Sequence, residues 1–389
     1  MKLYKAILSV GTSRLVSAFI AFLTSLVIMN ELSVTEYGDF YFYLSIITLA
    51  TTLPSVGINN SYVFNCDTSL ERKFISIKML IALALSVCAL ILYILSLIPD
   101  QLIIVCLITG FCLSIFDSHL SNLQCKKKFF SYAITLPLKN IVILITALFY
   151  LSSFDNPVYI YSYLSVVILI ILLFIYSKHI NFKLNFSLFS KMAGNFYFFE
   201  ISSLIMIRSE TWWLKYYSDG GQIDGKQLGI YGVAFTVCAV VSIVSTAINS
   251  ALLPYVKNKP SLLKIKNIII LFLLSSFFLV LFYFVTYLIV QYFFSEKYGE
   301  VIFYLGPILL GMLFSFLAGF VRLELVNRNL NTYLNKVYTF QLLLTIILGG
   351  GLIAFFGIFG AITVFAVVRF IGLILILLKY DYKNDKISL

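Results

Sequence analysis

The chain has 389 residues, of which 61% are hydrophobic and 12% charged, with a formal net charge of +11 and a mean hydropathy of +1.00. A soluble domain has roughly 45–50% apolar and about 25% charged residues, so no single soluble core could shelter this much apolar surface, and most of the chain is solvated by lipid. A spanning helix takes about 20 residues. Twelve such helices leave only short loops and tails, which excludes a fused ATPase, a large extracytoplasmic catalytic domain and a DNA-binding module.

Apolar runs separated by short polar segments predict spans at 7–29, 40–62, 75–97, 101–121, 133–152, 157–177, 194–216, 228–253, 266–292, 301–321, 334–355 and 358–378. The first follows Met1-Lys2-Leu3-Tyr4-Lys5 without a small-residue cleavage site and reads as a retained helix rather than a signal peptide. Six cysteines fall in apolar spans or basic loops, so no disulfide is expected.

Charge placement tests the span count, because Lys and Arg stay on the cytoplasmic side. Assigning alternate segments to the cytoplasm collects 22 of the 28 basic residues, among them Arg14, Arg72, Lys73, Lys78, Lys126, Lys183, Lys191, Lys257, Arg322, Arg328 and Lys379. The opposite loops hold Lys226 and Lys297 against acids such as Glu31, Glu36, Asp39, Asp100, Asp219, Asp224, Glu296 and Glu300. The expectation is an all-α polytopic membrane protein of twelve transmembrane helices with both termini cytoplasmic. Its positive charge is then a topology signal, and no nucleic-acid partner is expected.

A polar stretch from Lys178 to Lys191 divides the chain, and features of the first half recur in the second. Glu36-Tyr37-Gly38-Asp39-Phe40 introduces span two, and Leu228-Gly229-Ile230-Tyr231-Gly232 introduces span eight. The basic turn Leu123-Gln124-Cys125-Lys126 has a counterpart at Val326-Asn327-Arg328-Asn329. Two six-helix bundles, 1–189 and 190–389, related by an axis along the membrane normal, are expected from this spacing.

Four basic residues remain within spans: Lys139, Arg208, Lys215 and Arg369. An ionised residue at the bilayer centre costs roughly 2.5–3.5 kcal/mol on insertion scales, so each needs a partner, a route to the interface or a wet cavity. Arg369 is about 16 Å from the end of the last span, at 1.5 Å per residue, and faces either a hydrated interior or a buried acid. Arg208 and Lys215 are seven residues apart, stacked on one helix face about 10 Å apart. Glu210 points about 200° from Arg208, and Glu200 lies about two turns deeper on the same helix. Trp212, Trp213, Tyr216 and Tyr217 fit an outer interfacial belt.

Lys139 follows Pro137 and either snorkels or faces a cavity. Arg14 lies on a small polar stripe with Ser17, Ala21 and Ser25, which is a wet wall or a packing seam. Asn59, Asn60 and Asn65 end span two, while Asn249 lies in span eight with Pro254 closing it. The two histidines, His119 and His179, lie near cytoplasmic ends. No P-loop, HExxH or GxSxG motif occurs, so an enzyme is disfavoured, and no catalytic residue, metal site or cofactor is expected.

The chain resembles the Wzx-type O-antigen and polysaccharide flippases of the multidrug/oligosaccharidyl-lipid/polysaccharide (MOP) exporter superfamily. The residues that carry the likeness are Glu36-Tyr37-Gly38, Gly57, Gly229-Ile230-Tyr231, Pro254 and Gly357-Ile358-Phe359-Gly360-Ala361. The resemblance implies two six-helix bundles around a cavity that opens alternately to either side of the bacterial inner membrane. It also implies export of an undecaprenyl-diphosphate-linked oligosaccharide, with a polysaccharide polymerase and a chain-length regulator as further partners. On that reading Arg14, Lys139, Arg208, Lys215 and Arg369 form the cationic substrate-binding set, and Glu200 and Glu210 are candidates for ion coupling. A drug or cation antiporter on the same fold, an O-antigen polymerase or membrane glycosyltransferase, and an assembly scaffold are the alternatives.

Overall fold

The computed structural model describes residues 3–55, 57–65, 71–150, 156–177, 197–239, 241, 265–293, 295–328 and 330–384. The predicted bundle boundary at 189/190 lies outside them, as do Cys66, His179, Asn249, Pro254, Lys178, Lys183, Lys191 and Lys257; the side chains of Asn60 and Asn65 are also outside the description.

The described regular structure is helical: α1 (Leu3–Glu31), α2 (Val34–Thr52), α3 (Ile58–Asn65), α4 (Glu71–Ile94), α5 (Gln101–Cys125), α6 (Phe129–Tyr150) and α7 (Val158–Tyr176). The chain continues with α8 (Tyr197–Asp219), α9 (Lys226–Cys238), α10 (Ile265–Phe293), the single turn α11 (Ser295–Tyr298), α12 (Val301–Asn327) and α13 (Asn331–Asn384). Each predicted span contains a described helix, and among the described residues eight helical segments are long and apolar enough to cross a membrane. The segment 331–384 bends at Gly357, where φ is 54° and ψ −129°, so it comprises two helices that meet between the last two predicted spans.

Apolar side chains cover the helix exteriors. Leu83, Leu90 and Ile94 on α4, Ile170 and Phe174 on α7, and Phe277, Leu281 and Phe284 on α10 are exposed, while Lys78, Glu210 and Arg369 are buried. Such an arrangement suits hydrocarbon, in which backbone polar groups must be satisfied within the helix and charges must face inward. The protein is a multi-pass membrane protein.

The described chain separates into two compact units, one of residues 1–30 and 40–204 and the other of 31–39 and 205–389. The divisions fall at the last residue of α1 and inside α2 and α8. In the first unit α5 is the central helix, packed on α3, α4, α6 and α7; in the second it is α12, packed on α9, α10 and α13. These are the fourth and tenth predicted spans, six apart, as parallel repeats require.

The basic turns that follow them match in detail. Lys126 N–H donates to Asn122 and Lys128 N–H to the Leu123 carbonyl, just as Arg328 N–H donates to Glu324 and Leu330 N–H to the Leu325 carbonyl. The two glycine motifs meet each other. A Cβ on Gly38 would lie 2.8 Å from the Gly229 nitrogen, and one on Gly229 would overlap the Val34 carbonyl, so this crossing of α2 and α9 requires glycine.

Local signals set the helix starts. Ser33 and Glu36 form a reciprocal capping box on α2: Ser33 N–H donates to the Glu36 carboxylate at 2.8 Å, and Glu36 N–H to Ser33 Oγ at 3.3 Å. The backbone N–H of Ser33 holds the Glu36 carboxyl below its ordinary pKa. Asp100 caps α5 through Leu102 N–H and accepts from Tyr43.

Candidate functional site

In the first unit, α2 and α3 are two pieces of one predicted span, and the break between them organises the polar interior. A short 3-10 turn at Leu53–Ser55 ends the first piece, and Gly57, with φ 71°, precedes the second. A broken helix exposes carbonyls at one end and N–H groups at the other. Lys78 of α4 meets the carbonyl end: its Nζ donates to the Pro54 carbonyl at 2.6 Å and to Ser55 Oγ at 2.7 Å. Glu200 of α8 meets the amide end, accepting the Gly57 N–H at 2.6 Å. Each side chain carries the sign that complements the helix dipole at its end.

Asp117 of α5 lies in the electrostatic field of Lys139, Lys78 and Arg14, so side chains from α1, α4, α5 and α6 form one charge cluster. Lys139 projects over the ring of buried Phe116, 5.3 Å from its centre, and so points toward α5. Arg14 lies over Tyr132 at 6.0 Å, and its Nε is buried with no hydrogen-bond partner among the described residues. The stripe beside Arg14 is in part a packing seam, since Asn140 of α6 donates to both the carbonyl and the hydroxyl of Ser17. Three cations thus share this interior with Asp117 and Glu200.

Lys78, counted by charge placement among the cytoplasmic loop cations, is not a solvent-facing loop residue: it is 0% exposed and packs inside the first unit. Its position two turns into α4 signalled neither the break in α2 nor the bond to it. Asp117 went unremarked because a lone acid near a span end gives no periodic signal. His119, near the same end of α5, hydrogen-bonds Tyr176, and Asn122 joins Tyr176 to Glu71, which pairs with Lys126 at 2.6 Å. That network ties α4, α5 and α7 together and holds no predicted site residue.

In the second unit, Glu210 of α8 is 0% exposed and Arg369 of α13 is 4% exposed. Their closest approach is 3.4 Å, from Arg369 Nη1 to Glu210 Oε1, and the guanidinium stacks over Phe365 at 4.2 Å. Of the two environments the sequence allowed for Arg369, the structure provides the buried acid. The pair is open rather than bidentate: Glu210 Oε2, Arg369 Nη2 and Arg208 Nε are all buried without a hydrogen-bond partner among the described residues. The charge of Arg208 also acts on Glu210.

Lys215 is not brought to that group. Its ammonium binds Asp39 at 2.8 Å and Asp219 at 2.7 Å. Trp213 stacks on Tyr217 and lies against Gly349 and Gly350. A separate pocket of about 540 Å³ in the second unit is lined by Asp224, Gln227, Glu300, Tyr304 and Phe359 among others, and none of the predicted site residues reaches it.

A family model described as polysaccharide biosynthesis protein matches residues 3–259. The chain belongs to the polysaccharide biosynthesis protein family. No curated protein matches it in sequence. Solved structures are similar in fold along its whole length. A mutant of the Vibrio cholerae MATE transporter VcmN superposes with a TM-score of 0.69 at 12% identity, covering 99% of this chain and 97% of that one. A MOP superfamily transporter from Pyrococcus furiosus, described as having a binding pocket of reverse polarity that suggests a different function, gives 0.64 at 11% identity, covering 100% and 96%. The multidrug transporter DinF-BH gives 0.61 at 12% identity, covering 100% and 96%. This family member therefore has the MOP fold.

Proposed function

We propose that this polysaccharide biosynthesis protein is a flippase. It moves an undecaprenyl-diphosphate-linked oligosaccharide, an O-antigen or similar polysaccharide repeat unit, from the cytoplasmic to the periplasmic leaflet of the bacterial inner membrane by alternating access. The observation that carries the reading is the set of buried guanidinium nitrogens on Arg14, Arg208 and Arg369 that have no hydrogen-bond partner among the described residues. Buried unpaired N–H groups are costly, and a diphosphate supplies the charged acceptor oxygens that guanidinium recognises best.

In the second unit Arg208 and Arg369 are the groups that meet the diphosphate, and in the first unit Arg14 and Lys139 offer the same chemistry. Lys215, committed to Asp39 and Asp219, serves structure, and Glu210 orients Arg369 rather than coupling an ion. Sugars and diphosphate cannot enter hydrocarbon, whereas the polyprenyl tail stays in it, so the protein need provide only a polar path for the head group. With the cell interior negative, each negative charge moved outward gains about 2.3 kcal/mol per 100 mV, which drives export without ATP. The polymerase and chain-length regulator act on the delivered unit.

The test is deletion in the native strain with separate assay of the two leaflets. Complete lipid-linked units held on the cytoplasmic side, with no surface glycan, are expected. Single units that reach the surface but are not joined would identify a polymerase instead.

A further inference from the structure

Lys78 is fully buried, yet its bonds are to a backbone carbonyl and a hydroxyl, with no carboxylate among its partners in the described residues. Asp117 and Glu200 reach it through their fields. A helix ending inside a membrane leaves carbonyls that carry partial negative charge, and discontinuous helices in transporters place inorganic cations against such carbonyls. The groups converging at the end of the Leu53–Ser55 turn, two oxygens in direct contact and two acids nearby, are all oxygen donors suited to a hard monovalent cation.

We propose that the Lys78 ammonium is the resident cation of an ion site at the break between α2 and α3. It occupies the place an alkali-metal ion would take between the Pro54 carbonyl and Ser55 Oγ, so the first unit keeps its broken helix without an inorganic ion. Glu200 completes the device from the other side by holding the amide end of α3 at Gly57. Opposite ends of one break are thus held by tethered charges of opposite sign, and neither is free to leave with a substrate. The inference rests on the first unit's own geometry and holds whatever the transported molecule is.

The experiment is thermal unfolding of the purified full chain in nanodiscs, in sodium chloride and in N-methylglucamine chloride at equal ionic strength, with sodium ion as the probe. The native chain should melt at the same temperature in both. Lys78→Ala should melt earlier in N-methylglucamine and be restored saturably by sodium, and adding Ser55→Ala should abolish that restoration. A helix-capping lysine with no ion site would leave the alanine variant equally destabilised in both salts, which overturns the proposal. Rescue by n-propylammonium but not by sodium also overturns it, because the site would then be shaped for the lysine chain alone. A native chain that sodium stabilises would be equally contrary, and this arm needs no variant to fold.

Discussion

Replacing Glu210 by leucine leaves the Arg369 guanidinium buried without its carboxylate. Two unit charges 3.4 Å apart attract by about 5 kcal/mol at an effective dielectric constant of about 20. Removing one member of a buried pair typically costs about 3–5 kcal/mol, because the survivor stays desolvated. Glu210→Leu should therefore cost about 3–4 kcal/mol, at the lower end because the contact is single and Phe365 still faces the guanidinium. Arg369→Met should cost less, since an isolated carboxyl can take up a proton. The double variant, apolar on both sides, should recover most of the Glu210→Leu loss, giving a coupling of about 2–3 kcal/mol. Denaturant unfolding in mixed micelles reads all three. The double variant should nonetheless fail to restore surface glycan in a deletion strain, which separates the packing role of Arg369 from its part in transport. Losses that simply add, with coupling below about 0.5 kcal/mol, would refute the buried-pair reasoning.

Other substitutions probe the remaining features. Arg208→Ala should abolish surface glycan with normal membrane expression, whereas Lys73→Ala, at an exposed position, should leave glycan intact; blotting and glycan gels check both. Gly229→Ala should lower stability by about 1–3 kcal/mol through overlap with the Val34 carbonyl, while Gly351→Ala, with open space around it, should be neutral in the same melt. Gln227→Ala should cost about 1–3 kcal/mol, because the Gln227 side chain accepts the Ile358 N–H that the Gly357 bend releases. Because the folded pKa of Glu36 is lowered, its capping contribution is present above the ordinary carboxylate pKa and lost as pH falls through the folded value. Glu36→Gln should flatten the acid side of the stability profile, measured as melting temperature against pH.

Hydropathy carried the helix positions because a lipid solvent leaves few alternatives: a run such as 158–176 has little choice but to span. The bend at Gly357 was legible as a short gap between spans, and the matched turns at Lys126 and Arg328 as a weak repeat. Arg208, Glu210 and Arg369 stood out because charge in a span is expensive. Their pairing was not legible, since residues 159 positions apart are joined by tertiary packing that no local pattern encodes. The break after Leu53 was hidden for a different reason. Pro54, Gly57, Asn59 and Asn60 mark this stretch but read in sequence as the end of span two, and the groups that hold the break, Lys78 and Glu200, come from other helices. Lys78 was read as a loop cation because distance from a span end cannot distinguish a side chain that turns outward from one that turns in.

The flippase reading is tested most directly by the purified protein in liposomes that carry an undecaprenyl-diphosphate-linked oligosaccharide, with leaflet location read by a membrane-impermeant glycosidase. The account predicts that the native chain makes the inner-leaflet pool accessible, and that folded, reconstituted Arg208→Ala and Arg369→Met proteins do not. A native protein that leaves the inner pool protected, or arginine variants that expose it as fast as the native chain, would contradict it.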